Sequence, residues 1–76
     1  MEESEMKEGL TVRVNRRLRK KTRGLLISKC YLNVRKVGVV GTLKGCVPGH
    51  GGDVWLVQHE NSDVIGAYVF DELDKL

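Results

Sequence analysis

Short segments in which apolar and polar residues alternate recur along the chain, and turn-forming residues separate them. Leu10–Asn15 alternates at every position, which predicts a half-buried strand. Asp53–Glu60 and Val64–Phe70 are also predicted to be strands, and Asn61-Ser62-Asp63 lies between them. Because such polar residues favour tight turns, this stretch predicts a β-hairpin.

Three further segments complete the pattern. Leu25–Val34 is rich in large and β-branched apolar residues and predicts a strand, although its apolar positions also fit helical spacing. Val37–Val47 contains three glycines, which predicts a strand with a bulge or a sharp bend before the glycine-rich loop Pro48–Asp53. Asp71–Leu76 predicts a closing turn of 3₁₀ or α-helix, in which Leu73 and Leu76 would fill one end of the core.

These segments predict an all-β domain of four to five short antiparallel strands, spaced roughly ten residues apart. Closure into a small barrel would remove exposed strand edges. Residues 10–76 are expected to form the single domain. Residues 1–9 are acidic and contain few apolar groups, so we expect a disordered tail.

Charge is strongly segregated along the sequence. Residues 11–46 contain eleven cations and no carboxylate, whereas residues 1–10 carry a net charge of −3 and residues 53–76 a net charge of −5. The overall charge of +3 conceals this division. A block of one sign repels itself, so it indicates a surface for a negatively charged partner. Six of the cations lie in Arg16–Gly24, predicted to be a long exposed first loop.

Nucleic acid is the partner that this block favours, with RNA slightly preferred over DNA. Arginine and lysine release counterions from phosphates, and arginine also stacks on bases. Tyr31, and less favourably Trp55, could stack on an unpaired base. The predicted contacts are Arg16, Arg17, Arg19, Lys20, Lys21, Arg23, Lys29, Tyr31, Arg35, Lys36 and Lys44.

Two other interpretations of the basic block remain open. The chain could be a protein-interaction module, in which Trp55 and Tyr68 form a shallow groove and the basic loop grips an acidic segment. It could also be a structural subunit of a larger complex. No apolar run approaches the roughly 20 residues of a membrane span, and the start of the sequence is not a secretory signal, so we expect a cytoplasmic or nuclear protein.

Catalysis and cofactor binding have little support in the sequence. No motif surrounds Ser28 or Ser62, and an enzyme is not expected. Cys30, Cys46, His50 and His59 could together supply four zinc ligands, but their spacing lacks the short knuckle of structural sites. We therefore expect no metal, no cofactor and two reduced, buried cysteines. The acids of Asp71–Leu76 are expected to form a charged rim.

Four parts of the chain carry a family resemblance: Leu10–Asn15, Gly38-Val-Val-Gly41-Thr-Leu43, the hairpin and the Asp71-Glu72-Leu73 ending. Together they resemble the SH3-like small barrels of the KOW and Mib/Herc types, where a G-x-x-G-x-[VL] strand follows a long first loop. The resemblance covers about residues 10–76 and implies a barrel fold. The first loop, Asn15–Lys36, is longer and more basic than in those modules, and a fold of this kind does not determine the ligand.

Overall fold

The protein was analysed as a computed structural model that describes residues 6–18, 27, 29–49 and 51–76. Within these residues, five strands form one antiparallel sheet in the order β4-β3-β2-β1-β5. The strands are β1 (Thr11–Val14), β2 (Val40–Cys46), β3 (Val54–His59), β4 (Ile65–Val69) and β5 (Leu73–Lys75). A small all-β fold of antiparallel strands, as predicted from the sequence, is confirmed.

The alternation in the first strand places its apolar residues in the core. Val12 and Val14 are buried, whereas Thr11 and Arg13 are exposed on the other side. They join Met6, Leu43, Val57, Tyr68 and Leu73 in one hydrophobic cluster. Met6 is buried, and the Gly9 N–H donates to Leu43 O at 2.8 Å. The hydrophobic core therefore includes Met6, which lies four residues before Leu10, the expected start of the domain.

Strand β2 bends, as its glycines predicted. The β2–β3 register shifts between Leu43 and Gly45, which makes Lys44 the extra residue of a bulge. At Gly41, an added Cβ would lie 2.4 Å from Gln58 O. Any residue larger than glycine at position 41 would therefore prevent β3 from approaching β2 this closely.

The predicted hairpin is also confirmed. β3 and β4 pair from Val54↔Val69 to Gln58↔Ile65. The His59 N–H donates to Val64 O at 2.8 Å, and Asn61 adopts the left-handed conformation that the turn requires, with φ of 60°.

The predicted helical turn near the end of the chain is present, but it is shorter than expected and a strand follows it. A 3₁₀ turn spans Phe70–Glu72, and the chain then extends as β5, which pairs with β1 from Val14↔Leu73 to Val12↔Lys75. Leu73 is buried as predicted, but Leu76 is 56% exposed. The expectation that Leu76 fills the core is wrong, because extended backbone turns successive side chains to opposite sides.

The prediction of a strand over Leu25–Val34 is wrong for the part of this segment that the structure describes, residues 27 and 29–34. Lys29–Leu32 forms α1, a single helical turn that packs against β4. Short apolar runs fit strand and helix spacing equally well, so tertiary packing decides between them. Among the described residues, no helix has the length and apolar character needed to cross a membrane.

Candidate nucleic-acid interface

Asn15 fixes the turn at Arg16 and Arg17, where the basic segment of the sequence begins. Its Oδ1 accepts a hydrogen bond from the Arg17 N–H at 2.8 Å, and its Nδ2 donates to Asp71 O at 3.0 Å and to Asp74 Oδ1 at 3.2 Å. The Asn15 N–H also donates to Glu72 O at 2.9 Å. A short polar side chain that bonds backbone two residues ahead favours a turn. Asn15 therefore connects the turn at Arg16 and Arg17 to the last segment of the chain.

An open depression of about 560 Å³ lies beside this turn. We call it the arginine depression, and its lining includes Arg13, Arg16, Arg17, Gly38 and Asp74. All three arginines are exposed, and Asp74 is the one carboxylate in the lining. Since its formal charge is +2, the arginine depression favours an anionic ligand.

Gly38 contributes to the lining of the arginine depression without a side chain. Gly38 has φ of +85°, and an added Cβ would meet nothing within 4 Å. Its N–H donates to Val14 O at 2.8 Å, so the backbone here is held by β1. The neighbouring Val37 is 46% exposed. Access to the three guanidinium groups is therefore open from solvent.

The other predicted contact residues have different positions. Lys29, Lys36 and Lys44 are exposed, on α1, beside Val37 and in the β2 bulge respectively. Tyr31 is half-buried and lines a separate shallow depression of about 270 Å³ with Val34 and Ile65. The remaining predicted contacts, Arg19, Lys20, Lys21 and Arg23, lie outside the described residues.

Arg35 faces the interior. Its side chain is 5% exposed and forms an ion pair with Glu72, which is fully buried. The other carboxylate oxygen of Glu72, Oε1, accepts the Val69 N–H at 2.8 Å. The expectation that Glu72 belongs to an exposed charged rim is wrong, because the 3₁₀ turn directs this side chain inward to meet Arg35. Arg35 was predicted to contact nucleic acid. Among the predicted contact residues that the structure describes, it is the cation whose side chain is buried in an ion pair.

A buried aromatic pair continues from this ion pair. Arg35 Cζ lies 5.5 Å from the centroid of the Tyr68 ring. The Tyr68 hydroxyl accepts the Lys36 N–H at 3.3 Å and lies 2.8 Å from His59 Nε2. Desolvation by burial raises the pKa of Tyr68 and lowers that of His59. Both rings are therefore neutral at pH 7, and the network holds the segment at Lys36 against the sheet.

Two further expectations are corrected by these positions. Tyr68 is fully buried, so it cannot form the shallow exposed groove with Trp55. Trp55 is half-buried, and its indole N–H donates to Gly52 O at 2.8 Å. Cys30 and Cys46 were expected to be buried, but both are exposed. Cys46 ends β2 and Cys30 lies in α1, where neither side chain faces the core.

No group of three or more potential metal ligands occurs in the described part of the chain. His59 is 9% exposed and its Nε2 contacts Tyr68. His50 lies outside the described residues. Catalytic and cofactor chemistry was not expected from the sequence.

A second depression of about 560 Å³ lies on the outer face of the sheet. We call it the polar depression; its lining includes Thr11, Thr42, Lys44, Gln58 and Glu60. Thr11 pairs across the strands with Thr42, and Thr42 with Gln58. Uncharged hydroxyl and amide groups thus form a row across three strands.

The sequence pattern does not single out two residues that matter here. It predicts Asn15 only as the end of a strand, although an asparagine between a strand and a basic segment is a typical turn-former. Arg13 belongs to the basic block but is not among the predicted contacts. The alternation in β1 places Arg13 on the same exposed side as Thr11, and this pattern could have identified it as a contact residue.

Comparison with protein-family models, curated proteins and solved structures finds no match to this chain. The function is therefore inferred from the chemistry of the site itself.

Proposed function

We propose that this protein is a small nucleic-acid-binding module that grips phosphates with the arginine depression. The observation that carries the proposal is the Asn15-held turn, which presents Arg16 and Arg17 beside Arg13 around one open concavity. Guanidinium groups match phosphate geometry with two parallel hydrogen bonds. The sequence continues directly into four more cations, at positions 19, 20, 21 and 23.

The charge distribution supports a polyanion over a single small anion. Lys36 adjoins Val37 at the wall of the arginine depression, and Lys44 lines the neighbouring polar depression. An extended chain of phosphates could meet these cations in succession. RNA is slightly favoured over DNA, as the sequence indicated, with Tyr31 as the proposed partner of an unpaired base.

We also propose the finer fold class, an SH3-like barrel of the kind that the KOW and Mib/Herc types represent. Its support is the path of the chain. Strands β1 to β4 follow one another across the sheet, the bulge at Lys44 bends β2, and β5 returns through a 3₁₀ turn to pair with β1. Small barrels use such bends and returns to close.

Fluorescence anisotropy with labelled single-stranded RNA, single-stranded DNA and duplexes tests the function. We expect the double variant R16A/R17A to bind about tenfold more weakly at low salt, or about 0.7 kcal/mol for each exposed arginine. The log–log salt slope should become shallower by about 1.4, since each lost phosphate contact on a single strand accounts for about 0.7.

Matched variants separate charge from geometry. R16K/R17K keeps both charges and should retain the salt slope while losing part of the affinity, because lysine lacks the guanidinium fork. Lys7 is exposed and does not line the arginine depression, so K7A removes one charge elsewhere and should bind almost normally. Unchanged binding by R16A/R17A would refute the proposed site, and binding to an acidic peptide alone would favour the protein-interaction alternative.

A further inference from the structure

The arginine depression and the polar depression are neighbours along one strand. Arg13 lines the first, and it pairs across the sheet with Val40, which lines the second. Thr11 is two residues from Arg13 on the same exposed side of β1, about 7 Å along the strand. Among the described residues, β1 therefore connects the two depressions directly, and a ligand held by the arginines can extend along it into the polar depression.

The two depressions differ in charge. The lining of the arginine depression carries three cations and one acid, whereas that of the polar depression carries Lys44 against Glu60 and Asp63. Phosphates are attracted to the first and repelled from the hairpin end of the second. The part of a nucleic acid that reaches the hairpin end of the polar depression, beyond Lys44, should therefore be uncharged, which leaves the bases.

The groups that face the polar depression can recognise bases. Thr42 and Gln58 are partly exposed and directly paired across β2 and β3. A hydroxyl and a carboxamide each both donate and accept hydrogen bonds. Such groups read base edges, and glutamine can bond adenine with two hydrogen bonds in DNA.

We propose that the polar depression reads the bases of single-stranded nucleic acid, with Thr42 and Gln58 as the specificity-determining residues. This inference rests on the proposed function, because the arginines hold the backbone. Single strands are favoured because their unstacked bases can turn toward a sheet, whereas the deep, narrow major groove of duplex RNA hides base edges from side chains. The protein thus has a sequence preference that its basic block alone would not give.

Anisotropy with short single-stranded homopolymers of adenine, cytosine and uracil, beside a mixed-sequence duplex, tests this inference. We expect the wild-type protein to bind the three homopolymers with affinities that span about fivefold or more, in line with the weaker end of base-edge discrimination. In the variant T42V/Q58M, which keeps side-chain size but removes the hydrogen-bonding groups, the range should fall below about twofold. The salt slope should not change, because no phosphate contact is lost.

Asn33 provides the matched control. It is exposed and lines neither depression, so N33A removes an exposed amide and should keep the wild-type preference. Equal binding of all homopolymers by the wild type, an unchanged preference in T42V/Q58M, or tighter binding of the duplex would overturn the inference. In each of these cases the protein still binds nucleic acid, so the proposed function would survive. Absence of binding to every oligonucleotide would instead remove both.

Discussion

Removal of the Glu72 carboxylate should destabilise the whole fold. Glu72 is fully buried and paired with Arg35, whose side chain is 5% exposed. The variant E72A leaves that guanidinium inside the protein without its carboxylate, and it also removes the acceptor of the Val69 N–H. Loss of one partner of a buried ion pair costs about 3–5 kcal/mol.

That cost is large for a chain of this size. At about 0.05–0.15 kcal/mol per residue, 76 residues have a free energy of unfolding of about 4–11 kcal/mol. E72A should thus lose between a quarter of this stability and all of it. With a urea m value of about 1 kcal/mol/M, the midpoint should fall by about 3 M or more.

The assay is urea unfolding followed by the fluorescence of Trp55, the single tryptophan of the chain. Glu60 is exposed, so E60A is the control that removes an acid of the same type and should shift the midpoint only slightly. The double variant R35M/E72L replaces both charges with apolar groups and should recover much of the loss, because neither member of the ion pair is then left buried without the other.

A loss below about 1 kcal/mol in E72A would refute the reasoning, since a surface ion pair is worth only that much. Failure of R35M/E72L to improve on E72A would also contradict it. The instability would then come from the Val69 N–H and not from the guanidinium that has lost the Glu72 carboxylate.

Two other changes test the packing and the buried histidine. G41A should destabilise the fold by several kcal/mol, because its Cβ would lie 2.4 Å from Gln58 O. G45A is the control and should cost much less, since a Cβ at Gly45 would meet nothing within 4 Å. Equal urea midpoints for the two variants would contradict the close approach of β2 and β3. Burial lowers the pKa of His59 in the folded state below its ordinary 6.5, so protonation favours the unfolded chain. Stability should therefore be complete above pH 6.5 and fall by up to about 1.4 kcal/mol per pH unit as the pH drops toward the folded-state pKa. Urea titrations of H59Q should lack this component, and the same slope in the variant would contradict it.

Local patterns predicted much of the sheet. β1 and the β3–β4 hairpin agree with the sequence to within one or two residues at each end, because alternation and turn residues are local signals. The bulge in β2 was also expected from its glycines. α1 was not, because Lys29–Leu32 forms a helical turn only through its packing against β4.

The candidate site was predicted in part. Charge segregation pointed to a cationic surface, and Arg16 and Arg17 were named from it. The charge pattern does not predict which of the cations are exposed. Arg35 belongs to the same basic block as Lys36, yet it faces inward because a carboxylate 37 residues later is buried beside it.

By itself, the sequence determined the class of fold and the sign of the surface charge, since hydrophobic alternation and net charge need no knowledge of distant contacts. Tertiary structure decided which groups act together. The pairing of β5 with β1 brings Asp74 and Asn15 together and sets the turn of Arg16 and Arg17. The pairing of β1, β2 and β3 places Thr11, Thr42 and Gln58 in one row. Contacts between residues so far apart along the chain depend on how the sheet folds, and no local pattern encodes them.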